Sequence, residues 1–172
     1  FTPDWWNITF LRGLTADKRL WRKKDLSAWE VGVGTGVNIA VLRNLAPETQ
    51  WHFSDYNEEC VPLALENIQR IKTADGRLHP LCGSWDLVTP PPDNGMTAPK
   101  GDLVFGCLPQ VPTDMDLTVA DRVAHYYNPG RYPEARSHAL GLGPNEALLL
   151  RAKAVLNRGG TVVLNLGGRP GK

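Results

Sequence analysis

Three closely spaced glycines and two carboxylates are the residues whose types and spacing could do chemistry. Gly32, Gly34 and Gly36 directly follow an apolar segment, Glu30 lies two residues before the first glycine, and Asp55 lies 19 residues after the last. Glycine lets the backbone turn tightly and come close to a ligand, and a helix that starts after the turn offers free N–H groups. The pattern therefore predicts a phosphate- or nucleoside-binding loop.

The spacing of the glycines and the two carboxylates narrow the choice of ligand. A dinucleotide loop needs G-x-G-x-x-G, whose third glycine would fall on Val37, and the phosphate-binding pattern G-x-x-x-x-G-K-[ST] is absent. Asp55 can accept hydrogen bonds from both hydroxyls of a ribose, and Glu30 favours a cationic ligand. S-adenosylmethionine has a ribose, a sulfonium and an ammonium but no phosphate, so it is the expected cofactor. A glycine turn needed only for helix–sheet packing is the alternative.

Alternating strands and helices must position these residues. Apolar periodicity predicts strands at 26–31, 50–53, 78–82, 102–106 and 161–166, and helices at 7–18, 37–45, 57–71, 117–126 and 146–156. The proline- and glycine-rich segment 89–101 is predicted to be a surface loop. This alternation indicates an α/β fold with a doubly wound, mostly parallel sheet, as in Rossmann-like class I methyltransferases.

The chain length of 172 residues suits one domain with a single core. We expect a single domain over residues 1–172, with an N-terminal aromatic and helical segment at 1–25 and a Rossmann-like core at 26–172. Folds of this class usually continue past the fifth strand with a helix and an antiparallel hairpin. The sequence stops six residues after Leu166. Either these last strands are omitted from the sequence or the protein lacks them, and we expect that they are omitted.

Composition bears on partners and compartment. Lys and Arg number 19 against 18 Asp and Glu, a net charge of +1, which argues against a nucleic-acid partner. Cys60, Cys82 and Cys107 have no metal-ligand spacing and are odd in number, so we expect neither a metal nor disulfides, as in a reducing, cytoplasmic compartment. No apolar run or leader pattern indicates a membrane span or export. A homo-oligomer is left open.

The segment after the fourth predicted strand bears on the acceptor. Many enzymes that methylate exocyclic or amide nitrogen have N-P-P-Y at this point, where the Asn holds the planar nitrogen. This chain has Cys107, Leu108, Pro109 and Gln110 instead. An amine or amide acceptor is therefore disfavoured.

Two segments resemble methionine S-methyltransferase most specifically: GCLPQV at 106–111 and NLGGRPG at 165–171. The segments DWWNITF at 4–10 and GLG at 141–143 are also similar to that family, whereas the stretch between Gln110 and Tyr126 matches poorly and is shortened. The plant enzymes have this domain at the N-terminal end of a longer chain, and bacterial relatives feed dimethylsulfoniopropionate synthesis. The resemblance implies methyl transfer from S-adenosylmethionine to the thioether sulfur of L-methionine, giving S-methylmethionine and S-adenosylhomocysteine.

The implied reaction needs orientation more than acid–base chemistry. A thioether sulfur has lone pairs and no proton, so no general base is required, and alignment of the reactants can supply roughly 7–11 kcal/mol. Aromatic faces stabilise a sulfonium by about 1–2 kcal/mol, for which we select Trp6 and Tyr126, although aromatic residues are often plain core. Arg131 and Arg169 are candidates to hold the substrate carboxylate. The alternative for Arg169 is a structural role at the 167–168 turn.

These considerations give three sets of predicted site residues. Trp85 is expected to stack on the adenine, Ser84 to lie near its amino group, and Cys107 to line the pocket near the methyl group rather than act as a nucleophile. The catalytic set is Tyr126, Cys107 and Gln110. The cofactor-binding set is Glu30, Gly32, Gly34, Gly36, Asp55, Tyr56, Ser84, Trp85 and Cys107. The substrate-binding set is Trp6, Pro109, Gln110, Tyr126, Arg131 and Arg169.

Three rival functions remain beside the small-molecule S-methyltransferase. The first is an N-methyltransferase acting on a protein glutamine or a small amino compound, which the missing N-P-P-Y disfavours. The second is a cofactor-binding domain without catalysis. The third is a nucleic-acid methyltransferase, which the near-neutral charge disfavours.

Overall fold

The computed structural model describes residues 5–71, 78–80, 100–114 and 125–167. Helices and strands alternate along most of this chain, as the periodicity predicts. In order they are α1 Trp5–Ala16, β1 Ser27–Val31, α2 Val37–Leu42, β2 Gln50–Ser54, α3 Cys60–Arg70, β3 Leu78–Pro80, β4 Gly101–Gly106, β5 Val111–Pro112, β6 Tyr126–Tyr127, α4 Gly143–Val155 and β7 Leu156–Leu164.

Five strands form the main sheet, in the order β3-β2-β1-β4-β7, and every neighbouring pair is parallel. The inner strands β1 and β4 are buried along almost their whole length, because helices cover both faces of such a sheet. The chain builds outward from β1 to β3 and then returns past β1 to β4. This reversal confirms the predicted doubly wound fold and creates a switch point beside the carboxyl end of β1, where ligands bind in open α/β sheets.

Two apolar clusters lie on opposite faces of the sheet. One cluster packs α1, α2 and α3 onto the sheet through residues such as Leu14, Ile39 and Ile68. The other packs α4 onto the sheet through Ala147 and Leu148. Both faces of the sheet are thus packed against helices, and the loops at its carboxyl edge begin from these packed strands.

Helix α2 is shorter than the prediction of 37–45. It ends at Leu42, and the next amides switch to tighter bonds: Asn44 donates to the oxygen of Val41 at 3.2 Å and Leu45 to that of Leu42 at 2.9 Å. Bonds between residues three apart close 3₁₀-type turns rather than α-helical ones. The helical periodicity therefore continues past α2 through turns with mixed bonding, in which Ala46 still donates to the oxygen of Leu42, four residues earlier, at 3.1 Å.

The helix predicted at 117–126 is wrong at its last residue. Residues 115–124 lie outside the described part of the chain, but Tyr126 belongs to β6, which pairs in parallel with β5. The amide of Val111 donates to the oxygen of His125 at 3.0 Å, and that of Thr113 to the oxygen of Tyr127 at 2.9 Å. These bonds to a distant segment hold the backbone extended and override the local pattern.

Strand β7 begins earlier than the predicted 161–166. It follows α4 without a loop at Leu156 and includes Gly159 and Gly160, with a register shift against β4 between Gly101 and Leu103. The two glycines lie in the irregular stretch between the paired residues Leu156 and Thr161, which the sequence predicted as a connection between a helix and a strand.

None of the helices in the described ranges is both long enough and apolar enough to span a bilayer.

Candidate functional site

The glycine loop lies at the switch point and is held by the end of β2. The amides of Gly32 and Val33 both donate to the main-chain oxygen of Ser54, at 2.9 and 3.0 Å. Gly34 and Gly36 have φ of +53° and +79°, a region that favours glycine. A Cβ on Gly36 would lie 2.9 Å from the side chain of Ile68, whereas a Cβ on Gly34 would meet nothing within 4 Å. Gly36 thus allows helix packing, and Gly34 faces open space.

Asp55 bridges the glycine loop and the turn after β2. One carboxylate oxygen accepts the amide N–H of Gly34 at 2.8 Å, and the other accepts that of Asn57 at 2.8 Å. Only 9% of Asp55 is exposed. A carboxylate oxygen can accept a second hydrogen bond, so Asp55 can fix the loop and bind hydroxyls as well. The sequence did not indicate that Asp55 also holds the glycine loop.

Glu30 is a buried carboxyl at the end of β1. Its Oε1 accepts from Nδ2 of Asn38 at 2.7 Å, while Oε2 is buried without a hydrogen-bond partner among the described residues. Burial, with a smaller contribution from the charge of Asp55, raises the pKa of Glu30 to about 8. The carboxyl is therefore mostly protonated at pH 7, and a cation beside Oε2 would favour its ionised form.

Asn38 is a residue of the site that the sequence interpretation missed. It lies in the first turn of α2, is almost fully buried, and orients Glu30. A polar residue inside the apolar face of the helix after the glycine loop is a signal that could have indicated it.

A second group of residues lies at the ends of β4 and β7. The Gln110 side chain joins the two loops, because its Nε2 donates to the oxygen of Asn165 at 2.6 Å and its Oε1 accepts the amide N–H of Gly167 at 2.8 Å. The Asn165 side chain donates to Sγ of Cys107 at 3.1 Å and to the main-chain oxygen of Trp6 at 3.3 Å. We call Trp6, Cys107, Gln110, Asn165 and Gly167 the β4–β7 cluster.

The ring of Trp6 lies directly against Gly167. A Cβ on that glycine would come within 2.7 Å of the ring, so any larger residue would displace the ring. Trp6 is still 44% exposed, which leaves an aromatic surface open to a ligand. The structure thus brings Trp6, Cys107 and Gln110 together in one cluster. Their roles in binding and catalysis stay predictions.

Arg131 lies beside Tyr56, the residue that follows Asp55. Its guanidinium carbon is 3.2 Å from the centre of the Tyr56 ring, in cation–π contact. Partial burial lowers the pKa of Arg131. Arg131 therefore lies beside a predicted cofactor residue, and its role as a ligand for the substrate carboxylate stays a prediction.

The other predicted residues vary in how they are placed. Tyr126 is half-buried in β6, paired with Val111 in the strand that follows Gln110, and Pro109 is half-buried beside Gln110. Ser84, Trp85 and Arg169 lie outside the described residues, and their roles stay predictions. Within the described ranges, no three His, Cys, Asp or Glu side chains are grouped to hold a metal ion.

Comparison with known proteins places this fold. No protein-family model and no curated protein matches the chain. Among solved structures, a methyltransferase from Pyrococcus furiosus is 19% identical, with a TM-score of 0.53 over 90% of this chain and 61% of that one. The S-adenosylmethionine-dependent methyltransferase SibL is 18% identical, with a TM-score of 0.55 over 92% of this chain and 36% of that one.

A third solved structure is an S-adenosylmethionine-dependent methyltransferase from Geobacter sulfurreducens in complex with S-adenosyl-L-homocysteine. It is 15% identical, with a TM-score of 0.50 over 91% of this chain and 47% of that one. The chain thus spans between 36% and 61% of the length of these three proteins. The three similarities show that the chain has the Rossmann-like fold of class I methyltransferases.

Proposed function

We propose that the protein transfers the methyl group of S-adenosylmethionine to the thioether sulfur of L-methionine. One observation supports this acceptor most directly. The residues 107–110 and 165–167, at the ends of β4 and β7, include no Asp, Glu, His or Lys. Methylation of a hydroxyl oxygen needs a group that removes its proton, and an amide or exocyclic nitrogen is held by the Asn of N-P-P-Y, which Cys107 replaces here, whereas a thioether needs neither.

The cofactor side fits S-adenosylmethionine in three respects. Oε2 of Glu30 is buried and unpartnered among the described residues, as suits a cationic group nearby. The Asp55 carboxylate lies beside the glycine loop, where a carboxylate can accept from ribose hydroxyls, and open space lies above Gly34. The charge of Asp55 beside the loop would repel a phosphate, and Glu30 ionises more readily beside a cation, so a nucleoside with a positive charge is favoured over a nucleotide.

When bound, S-adenosylmethionine supplies a methyl group on a sulfonium sulfur. A lone pair of the acceptor sulfur forms the new C–S bond as the donor C–S bond breaks, and the donor sulfur keeps that electron pair. The positive charge moves to the acceptor sulfur, and no proton moves. The chain therefore has to hold the two sulfurs and the methyl carbon in line and to exclude water, which is catalysis by orientation.

The acceptor side offers surfaces for this task. The exposed face of Trp6, fixed against Gly167, can stabilise a sulfonium by about 1–2 kcal/mol. Cys107 provides a small, half-buried side chain at the end of β4. Arg169 lies five residues after the end of β7 in sequence. It is our candidate for binding the substrate carboxylate, because a guanidinium matches the two oxygens of a carboxylate. Tyr126, Pro109 and Gln110 are proposed to complete the acceptor pocket.

Methyl transfer with the full-length protein tests this function. S-adenosylmethionine and L-methionine are incubated with the protein, and fragmentation in a mass spectrometer distinguishes S-methylmethionine from N-methylmethionine. Methionine amide and a glutamine-containing release-factor peptide run alongside as acceptors for the N-methyltransferase alternative. S-methylmethionine as the product is the expected result. N-methylated products, or no product while S-adenosylhomocysteine binds tightly, would refute the thioether acceptor.

A further inference from the structure

Asn165 has a position set by the sheet rather than by its own loop. Its amide N–H donates to the oxygen of Gly106 at 3.1 Å, which extends the β4–β7 pairing by one residue. Its main-chain oxygen accepts from Gln110 at 2.6 Å. Main-chain bonds on both sides therefore fix the Cα of Asn165 next to Cys107, at the carboxyl edge where the acceptor is proposed to bind.

The Asn165 side-chain amide has a defined orientation. The main-chain oxygen of Trp6 can only accept a hydrogen bond, so the group facing it at 3.3 Å is the amide nitrogen. The same nitrogen donates to Sγ of Cys107. Both N–H groups are thereby used. Among the residues that the structure describes, the side-chain hydrogen bonds of Asn165 all come from its nitrogen, which leaves the oxygen Oδ1 of this half-buried residue available to a ligand.

Gln110 cannot take the same part. Its amide oxygen accepts from Gly167 and its nitrogen donates to Asn165, so the side chain already joins two loops. In the β4–β7 cluster, Oδ1 of Asn165 is the side-chain oxygen that no neighbour uses. An uncharged acceptor in a half-buried position, held by its own amide nitrogen, is suited to an N–H donor of a ligand.

We propose that Asn165 is a specificity-determining residue that accepts a hydrogen bond from the primary amino group of the acceptor. The inference rests on the proposed function and deepens it. The acceptor class is then an amino acid with a thioether side chain, and thioethers that lack the amino group are poor substrates. The sulfur reacts, while the amino group is held.

The test compares two acceptors that differ only in the amino group. These acceptors are L-methionine and 4-(methylthio)butanoate, which share the carboxylate, the chain length and the thioether. The measured quantity is the ratio of kcat/KM for L-methionine to that for 4-(methylthio)butanoate, with the full-length protein. For Asn165→Ala, we expect this ratio to fall by roughly 10- to 100-fold, as for loss of a hydrogen bond to a charged group.

Asn165→Asp separates recognition from structure. It loses the amide N–H groups that contact Trp6 and Cys107 but keeps an oxygen acceptor, so we expect it to retain most of the preference for L-methionine. A purely structural Asn165 would make both variants lose activity equally toward the two thioethers. Asn44→Ala, an exposed asparagine in the turn after α2, is the matched control and should leave the ratio unchanged.

The outcomes distinguish the inference from the proposed function. If wild-type protein methylates L-methionine and Asn165→Ala keeps the wild-type ratio, the inference is wrong and the proposed function stands. Equal use of both thioethers by the wild type would also overturn the inference. If the wild type methylates neither thioether, the proposed function fails and the inference fails with it.

Discussion

Cofactor binding should release a proton from Glu30. The pKa of this buried carboxyl is about 8 in the free protein, because burial disfavours its charged form and the charge of Asp55 adds to the effect. At pH 7, about one unit below that pKa, roughly one tenth of the molecules have an ionised Glu30. If a cationic ligand beside Oε2 requires the ionised form, binding must remove a proton from the remaining molecules.

The expected magnitude follows from the titration. Between pH 6 and pH 7, the affinity for S-adenosylhomocysteine should rise about tenfold, or about 1.4 kcal/mol per pH unit, and should level off above pH 8. Glu30→Gln is the matched control, because it can keep the hydrogen bond from Asn38 but cannot ionise. Any titration of the ligand's own amino group occurs equally with both proteins and cancels in their ratio.

Titration calorimetry in two buffers of different ionisation enthalpy measures both the affinity and the protons released. We expect nearly one proton released per ligand at pH 6.5 from the wild type and none from Glu30→Gln. A wild-type affinity that does not change between pH 6 and 7, with no proton released, would refute the reasoning. Glu30 would then have the same protonation state in the free and bound protein.

Three further predictions concern stability and binding. Glu30→Gln should stabilise the free protein at pH 7 by up to about 3 kcal/mol in thermal melts. Because the pKa of Glu30 is raised on folding, its contribution to stability is complete below pH 4.5 and is lost as the pH rises toward 8. Equal melting temperatures of the two proteins at pH 7 would contradict this prediction. Asp55→Ala should weaken cofactor binding by roughly 2–4 kcal/mol in calorimetry; unchanged affinity would remove Asp55 from the site. Gly36→Ala should lower the free energy of unfolding in urea by about 1–3 kcal/mol, because of the positive φ and the contact with Ile68. The control Gly13→Ala, in α1, should stabilise the protein slightly. Similar effects from both substitutions would refute the packing argument.

The parts of the fold that the sequence predicted are those set by local pattern. β1, β2 and β4 are buried in a parallel sheet, so they appear as short apolar runs, and the glycines after β1 mark the turn that their φ angles require. The positions of Glu30 near the end of β1 and of Asp55 just after β2 also follow from the predicted strands. These features need no knowledge of distant contacts.

The features that the sequence missed depend on residues far apart in the chain. Tyr126 is extended because it pairs with Val111, and Gln110 is held by a segment 55 residues away. Arg131 meets Tyr56 across the sheet edge. Local propensity contains no information on such pairings, so the sequence alone could not predict these contacts.

The hydrogen bond between Asn165 and the oxygen of Trp6 joins residues 159 positions apart. The glycine loop and Asp55, by contrast, contact each other within about twenty residues. A contact between residues that are far apart in the chain costs more chain entropy. Fraying of α1 can therefore open the β4–β7 cluster while the glycine loop and Asp55 stay in contact. If the proposed function is correct, a partly frayed molecule would still bind the methyl donor but would bind the acceptor weakly, and the two groups of residues would differ in their tolerance to heat and denaturant.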